Sequence, residues 1–382
     1  MGLLSRERTQ SEDPGQYLDP PSGVLFGSNA VRLGAAQWIA AAAILIAIYI
    51  AVPRLWQWIE PLELGPDYRI PYSLSEDYWL YGRYAETALR DRDVIPIVGD
   101  SVIWGQYVRP DETLSHALNE QTEKTRFANL GVNGSHPIAL SGLITYYGGG
   151  IADRKVILQY NPLWMSSKRR DLQIAKATTF NHPQLVPQFY PRIPCYDAKI
   201  ADRLSIAIAR DFAFLGWTAH LRKAYFDNES LTSWTVENPY ANPLNAVTLR
   251  LPQPADSAPS DPIPWTEKDA RPQSFDWVAP ESSLQWAFFE RSLSTLQGRG
   301  NRVFVLLGPF NEHMLTDENR AVFAGIRAEM DAWLVQNGIE HLAPPALPSG
   351  LYADASHPIA EGYVALAKLL AESESFRTFL AR

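Results

Sequence analysis

The sequence contains little cysteine, and basic residues are outnumbered. Among 382 residues there is one cysteine, Cys195, so the chain can form neither an internal disulfide nor a multi-cysteine metal site. The seven histidines include no His-x-x-x-His pair, and we predict no metal and no cofactor. Lys and Arg total 34 against 42 Asp and Glu, for a net charge of −8. Without a basic stripe carrying aromatic residues, no nucleic-acid partner is expected.

Charge is absent altogether from residues 34 to 53. That length suits one crossing of a hydrocarbon core, which takes about 20 helical residues. Trp38, Trp56 and Trp58 stand at its edges, as interfacial aromatic residues do. A buried core helix would normally have a polar face, and a cleaved signal peptide has a shorter apolar region. We therefore expect an uncleaved transmembrane anchor over residues 34 to 56.

The flanking arginines predict an orientation. Arg6, Arg8 and Arg32 precede the span, and Arg54 and Arg69 follow it. This slight excess favours a cytoplasmic N-terminus and a domain outside the cytoplasm.

Three further segments complete the predicted organisation. Residues 1 to 33 have the mixed charge and the Pro, Gly and Ser content of a flexible tail. Residues 57 to 92 are rich in aromatics and are expected to link the anchor to a domain and pack on it. The remainder, 93 to 382, is expected to form that domain.

The domain alternates apolar runs with helical patterns, which is typical of a parallel α/β sheet. Continuous apolar runs such as residues 303 to 307 fit strands buried on both faces. The pattern predicts strands at 93–98, 126–130, 155–160, 302–307 and 339–343, and helices at 112–121, 136–147, 283–298, 317–337 and 359–371.

An insertion at about 163–283 is far longer than an ordinary connection. Its first part has helical stretches, for example residues 198 to 214, and its later part is rich in proline. The later part is expected to be extended and solvent-facing, ordered by contact with the domain. The insertion is assigned to substrate or partner recognition, or alternatively to a variable surface loop.

Two short motifs carry the chemistry. Gly99-Asp100-Ser101 follows the apolar run 94–98, and Asp354-Ala355-Ser356-His357 lies near the end of the sequence. A serine hydroxyl is a weak nucleophile until a base takes its proton, and histidine is a base suited to neutral pH. An aspartate on the other ring nitrogen fixes the tautomer. Either motif alone can also be an ordinary turn or a helix cap.

Two intervening segments strengthen the pattern. Residues 127 to 134 end an apolar stretch in a Gly- and Asn-rich turn, and residues 155 to 162 form a strand pattern that ends in Asn161. With these four segments in this order, the chain resembles the SGNH (GDSL-type) hydrolase superfamily over roughly 93–163 and 300–375.

The resemblance implies a flavodoxin-like three-layer sandwich with a five-stranded parallel sheet, the SGNH hydrolase fold. It makes Ser101, His357 and Asp354 the catalytic set. The oxyanion hole would be the Ser101 and Gly134 backbone N–H groups and the Asn161 amide. Gly131 competes with Gly134 for that position. The third segment reads Gln159-Tyr160-Asn161-Pro162, where the family commonly has Gly-x-Asn-Asp, which suggests a divergent subgroup.

The turn after the fourth strand adds candidates for substrate contact. Asn311 and His313 are expected on the rim of the site, with a plain strand-to-helix loop as the alternative. His313 is not expected to be the base, because no aspartate stands at the family's spacing from it. His136, close to Gly134, is likewise not expected to be the base.

The expected function is a membrane-anchored ester hydrolase or O-acyltransferase outside the cytoplasm. Water would resolve the acyl-serine in an esterase, and a sugar hydroxyl would resolve it in a transferase. An N-terminal anchor before an SGNH domain resembles accessory proteins of polysaccharide O-acetylation, which act beside a multi-span membrane acyltransferase. The substrate would then be an acylated small molecule or polysaccharide. Alternatives are a non-catalytic assembly protein that keeps the fold, and a lipolytic esterase.

Overall fold

The computed structural model describes residues 33–122, 126–255, 258 and 262–382. The predicted tail, residues 1 to 33, therefore lies almost wholly outside the described residues. Contacts divide the chain into two compact units, Met1–Tyr49 and Ile50–Arg382.

The predicted span is helical. Helix α1 runs Ala35–Ile59, and its residues 50–59 belong to the second unit. Among the described helices, α1 is long and apolar enough to cross a membrane, and its most apolar window is entirely unburied. The prediction of one apolar helix of spanning length is confirmed, by length and composition, for the described residues.

The second unit is built on a five-stranded sheet in which every pair of neighbours is parallel. All five predicted strands are present, and the strand order is β2-β1-β3-β4-β5. The chain adds β2 on one side of β1 and the later strands on the other side. The switch point therefore lies between β1 and β3, and such a point leaves a crevice at the carboxyl ends of the strands. The strands are β1 Ile95–Val98, β2 Phe127–Asn129, β3 Lys155–Tyr160, β4 Arg302–Leu307 and β5 Glu340–Leu342.

Helices cover both faces of this sheet, and the five predicted helices are all present. Several begin at a capping side chain, as Ser283, Thr316 and Ser373 each accept a backbone N–H of the following turn. The helices after α1 are α2 Tyr78–Ala88, α3 Ser101–Trp104, α4 Leu114–Thr122, α5 Pro137–Tyr147, α6 Ile200–Asp211, α7 Ala213–Tyr225, α8 Leu231–Glu237, α9 Pro243–Ala246, α10 Leu284–Gly298, α11 Asp317–Gln336, α12 Ala360–Glu372 and α13 Glu374–Ala381.

Two apolar cores flank the sheet because successive strand residues point to opposite faces. Leu158 and Val305 pack with α2, α5, α10 and α11, whereas Ile157 and Phe304 pack with α3, α4, α12 and α13. This explains why β3 and β4 contain continuous apolar runs.

Residues 57 to 92 are more than a connection. They contain α2, whose Tyr81 and Tyr84 are buried in the first core. The Tyr84 hydroxyl donates to the carbonyls of Tyr68 (2.9 Å) and Asn129 (2.8 Å), which fixes this segment to the end of β2.

The insertion differs in one respect from its prediction. The helix expected over 198 to 214 is broken at Phe212, whose backbone is extended (φ −109°, ψ 102°), so that α6 ends and α7 begins there. Two described residues of the proline-rich part donate backbone hydrogen bonds to the rest of the domain. Trp265 N–H donates to Tyr352 O (2.6 Å), and Gln273 N–H donates to Met314 O (2.7 Å).

Candidate active site

Ser101 is placed by a tight turn at the end of β1. A side chain at Gly99 would come within 2.4 Å of Ile103 and 2.7 Å of Gln159, so only glycine fits between strand and helix. Asp100 caps α3, its Oδ1 accepting Val102 N–H at 2.9 Å. Ser101 is the first residue of that short helix and is almost wholly buried.

Ser101, His357 and Asp354 form a continuous hydrogen-bonded array. The distance from Ser101 Oγ to His357 Nε2 is 2.8 Å. On the other side of the ring, His357 Nδ1 lies 2.9 Å from each Asp354 carboxylate oxygen. The three residues that the sequence singled out as a catalytic set are therefore in direct contact.

The loop that carries Asp354 and His357 is shaped by the same carboxylate. Asp354 Oδ1 accepts the backbone N–H groups of Ser356 (2.9 Å) and His357 (3.0 Å). Ala353 N–H donates to His357 O at 2.8 Å and closes the turn. One aspartate thus folds the loop and orients the imidazole, which accounts for the three-residue spacing.

The charges of this pair reinforce each other. Burial acts to raise the pKa of Asp354, but the His357 hydrogen bond and charge and two backbone N–H groups hold it well below its usual range. Burial acts to lower the pKa of His357, and the Asp354 hydrogen bond and charge overcome this and raise it. Asp354 therefore stays ionised beside the ring.

Asn161 is close to Ser101 but its amide is occupied. Asn161 Nδ2 donates to Asp100 Oδ2 (2.9 Å) and to Ser356 Oγ (3.1 Å). Trp164 Nε1 donates to the same Asp100 oxygen at 2.9 Å. Burial raises the pKa of Asp100, against the lowering effect of His357 and these donors. Asp100, Trp164 and Ser356 are site residues that the sequence did not single out.

The two glycines that competed for the oxyanion position differ in their N–H groups. Gly131 N–H donates to the Asn129 side chain at 3.1 Å, and a Cβ on Gly131 would lie 2.4 Å from Trp104 N. Gly131 therefore serves close packing against α3. By contrast, within the described residues neither Gly134 nor Ser101 gives its backbone N–H to a protein acceptor.

Gly134 lies on the continuation of β2 beside β1. Val132 N–H donates to Gly99 O at 3.1 Å, which extends the strand pairing beyond the sheet. Gly134 follows two residues later with φ +70°, a conformation that favours glycine. The chain thus brings Gly134 to the same edge as Ser101.

The rim residues have other roles in the structure. Asn311 is completely buried, with its N–H on Ala355 O (2.8 Å) and Nδ2 on Asp354 O (3.2 Å). Asn311 therefore stabilises the loop that carries Asp354, and its side chain is not exposed to a substrate. His313 is exposed, and its Nε2 lies 2.9 Å from Leu347 O. His136 is buried and caps α5, and burial lowers its pKa to about 3.

The insertion contributes a residue near the site. Lys268 Nζ donates to Ala353 O at 2.6 Å and lies 5.5 Å from the Tyr107 ring. That ring in turn meets the His357 ring edge-on at 5.5 Å. Burial and Asp354 raise the pKa of Tyr107 to about 12. No local pattern marks Lys268, because its approach depends on how the insertion folds back.

Comparisons with known proteins do not assign the chain. A scan against models of protein families and a search of curated proteins both find no match. Among the described residues, no group of three or more His, Cys, Asp or Glu side chains is arranged to hold a metal ion. A hydroxyl, an imidazole and a carboxylate in series can activate an oxygen nucleophile.

Proposed function

We propose that the protein is a membrane-anchored serine ester hydrolase or O-acyltransferase of the SGNH (GDSL) type, working through an acyl-Ser101 intermediate. The observation that carries the proposal is the array from Ser101 Oγ through His357 to Asp354, with contacts of 2.8 and 2.9 Å. The parallel sheet and the position of Ser101 just after β1 are further support.

In the first half-reaction, His357 Nε2 takes the Ser101 proton as Oγ adds to the acyl carbonyl carbon. The bond from that carbon to the leaving oxygen then breaks, and His357 returns the proton to the leaving alkoxide. In the second half-reaction, water or a sugar hydroxyl gives its proton to His357 and adds to the acyl carbon. Ser101 leaves and regains the proton. Asp354 remains ionised throughout and stabilises the imidazolium.

Charge on the carbonyl oxygen needs donors. The Ser101 and Gly134 N–H groups have no acceptor within the described residues and are available for it. Asn161 must give up one of its present acceptors. The bond to the neutral Ser356 hydroxyl is the weaker of the two, since hydrogen bonds to a carboxylate are stronger. We therefore propose that Asn161 exchanges Ser356 for the oxyanion.

The proposed setting is the extracytoplasmic side of a membrane. Helix α1 and the arginine distribution support an anchor with the catalytic domain outside. Acylated cell-surface or exported polysaccharide is the proposed substrate class, with a multi-span acyltransferase as partner. This part derives from the architecture of an anchor followed by a hydrolase-like domain.

Labelling with a fluorophosphonate tests the proposal. Intact-mass spectrometry of the purified full-length protein should show one adduct, and peptide mapping should place it on Ser101. Ser101→Ala should lose the adduct while keeping its thermal unfolding transition. Undiminished labelling of Ser101→Ala would contradict the assignment. Chasing an acetyl-enzyme with water or with an oligosaccharide then separates hydrolysis from transfer.

A further inference from the structure

Helix α6 in the insertion directs its two arginines at backbone carbonyls, while its two acidic residues, Asp202 and Asp211, are exposed. Arg203 donates to the carbonyls of Ala198 (3.1 Å) and Tyr196 (2.8 Å). About two helical turns later, Arg210 donates to Gln184 O (2.9 Å) and Val186 O (2.6 Å). These two arginines attach the helix to the rest of the insertion.

A different side of α6 is apolar and uncovered. Ile200, Leu204 and Ile208 are spaced four residues apart, so they form one stripe along the helix. They are 72%, 48% and 50% exposed. We call these three residues the outer stripe. A helix that faces water normally has the reverse arrangement, and contiguous exposed apolar surface of this kind marks a contact with a membrane or a partner.

The helix that follows the outer stripe contacts the last residues of α1 and the residue after it. Helix α7, which follows α6 after Phe212, packs Trp217 on Trp56 with ring centroids 5.7 Å apart. His220 of α7 bonds Glu60, the residue after α1, at 3.0 Å. Trp56 is three residues beyond the uncharged run, a rise of only about 5 Å in a helix.

The following segment of the insertion is also apolar on its surface. It exposes four large apolar side chains, Leu231, Val236, Tyr240 and Leu244. Residues 199 to 250 also carry six basic and five acidic residues. This segment therefore lacks the acidic excess of the whole chain and would not be repelled by an anionic bilayer surface.

We propose that the outer stripe of α6 lies in the interfacial layer of the bilayer that α1 crosses. Lipid is the expected occupant because α7, which follows α6, packs against the end of α1. It rests on α1 as a membrane anchor, but not on the chemistry of Ser101. The insertion would then hold the domain at a fixed orientation on the membrane, while its later part reaches the site through Lys268.

Depth-dependent fluorescence quenching of the full chain in lipid nanodiscs tests this. Cys195, which is buried, is replaced by alanine, and single cysteines are introduced as Leu204→Cys and Ile208→Cys for an environment-sensitive label. The matched control is Val364→Cys on α12, an apolar position 53% exposed in the other helix layer. Nanodiscs contain lipids that are either unmodified or brominated near the headgroup end of the acyl chain.

A stripe buried about 5–10 Å into the interface should lose at least about half of its fluorescence to brominated lipid, with no loss at position 364. Equal brightness at all three positions in both lipids would overturn the proposal, including the case in which a protein partner shields the stripe instead. Incorporation into nanodiscs reports separately on α1, and fluorophosphonate labelling reports separately on Ser101. Failure of the lipid contact is thereby distinguished from failure of the anchor or of the proposed chemistry.

Discussion

Two buried histidines, His357 and His220, are each bonded at both ring nitrogens, yet their surroundings give them opposite uses. His220 lies between two carboxylates, with Nδ1 2.7 Å from Asp77 and Nε2 3.0 Å from Glu60. His357 has a carboxylate on one nitrogen only, and its other nitrogen faces the Ser101 hydroxyl. A carboxylate can only accept, whereas a hydroxyl can donate.

The second partner decides what the ring can do. Burial acts to lower the pKa of His220, but hydrogen bonds and charge from Asp77 and Glu60 raise it to about 9. His220 is thus a fixed cation near neutral pH. The neutral form of His357 can receive a proton at Nε2 and return it. One carboxylate makes a histidine a better base, whereas two make it a structural charge.

The cluster around His220 is balanced in charge. Glu60 also accepts from Arg83, Tyr225 and, at 3.0 Å, Trp56 Nε1. With His220 protonated, two carboxylates (Glu60 and Asp77) face two cations (His220 and Arg83), and all four residues are buried. The cluster joins α2 and α7 to the residue that follows α1, and we assign it to holding the insertion in place.

After the loss of His357 itself, the largest effect should come from removing the carboxylate of the catalytic array. Asp354→Asn should lower acylation of Ser101 by roughly 10⁴, as loss of the orienting acid does in other triads. The rate of the wild type should rise with pH through the His357 pKa, since only the neutral ring accepts a proton. That midpoint should lie above the ordinary histidine value because Asp354 raises it. Stopped-flow acylation by an aryl acetate against pH measures both; a rate near that of the wild type would contradict the role of Asp354.

Removal of the Asn161 amide should have the next largest effect. Asn161→Ala should lower kcat by about 10²–10³ with KM little changed, as expected for an oxyanion donor. The matched control is Ser356→Ala, which removes the competing acceptor and should leave kcat at or above the wild-type value. Steady-state kinetics decide; a change confined to KM would assign Asn161 to substrate binding.

Breaking the structural cluster should affect stability far more than acylation. His220→Gln removes a buried charge partner, which typically costs about 3–5 kcal/mol, while acylation per folded molecule should change only a few-fold. The raised pKa of His220 stabilises the wild type fully below the unfolded value of about 6.5. This stabilisation should be lost as pH rises through about 9.

Thermal unfolding in detergent between pH 6 and 10 checks this, and Glu60→Gln is the matched control. Glu60→Gln leaves His220 one carboxylate, so its alkaline transition should move to lower pH. If the unfolding temperature of His220→Gln keeps the wild-type dependence on pH, the stability transition belongs to another group.

The smallest effect is expected at His313. It is exposed and bonded to Leu347 O, and no carboxylate among the described residues contacts its ring. His313→Ala should acylate within about twofold of the wild type, as surface substitutions usually do. A loss comparable to that of Asp354→Asn would move the base to the turn after β4.

The sequence predicted those parts of the molecule that rest on local patterns. Strands β1, β3 and β4 follow from apolar runs, and the Asp354–His357 pair follows from a spacing that a single turn sets. The expected contact of this pair with Ser101 came from the family resemblance, because His357 does not directly follow a strand.

The parts that were missed depend on contacts between distant segments. His220, Glu60 and Asp77 come from three separate regions, and none has a neighbouring signal in the sequence. Lys268 reaches Ala353 only because the proline-rich segment folds back. The sequence also could not show that the Asn161 amide already has two acceptors, because these contacts depend on the rotamers of Asp100 and Ser356.

The central claim is that His357, and not His220, is the base that activates Ser101. The most direct test is the single-turnover acylation rate of Ser101 against pH in the wild type, His357→Ala and His220→Gln. We predict a rate that rises through one titration in the wild type and in His220→Gln. In His357→Ala the rate should be flat and lower by about 10⁶, as for the loss of a catalytic histidine elsewhere. Near wild-type acylation by His357→Ala, or a titration that disappears with His220, would contradict the account.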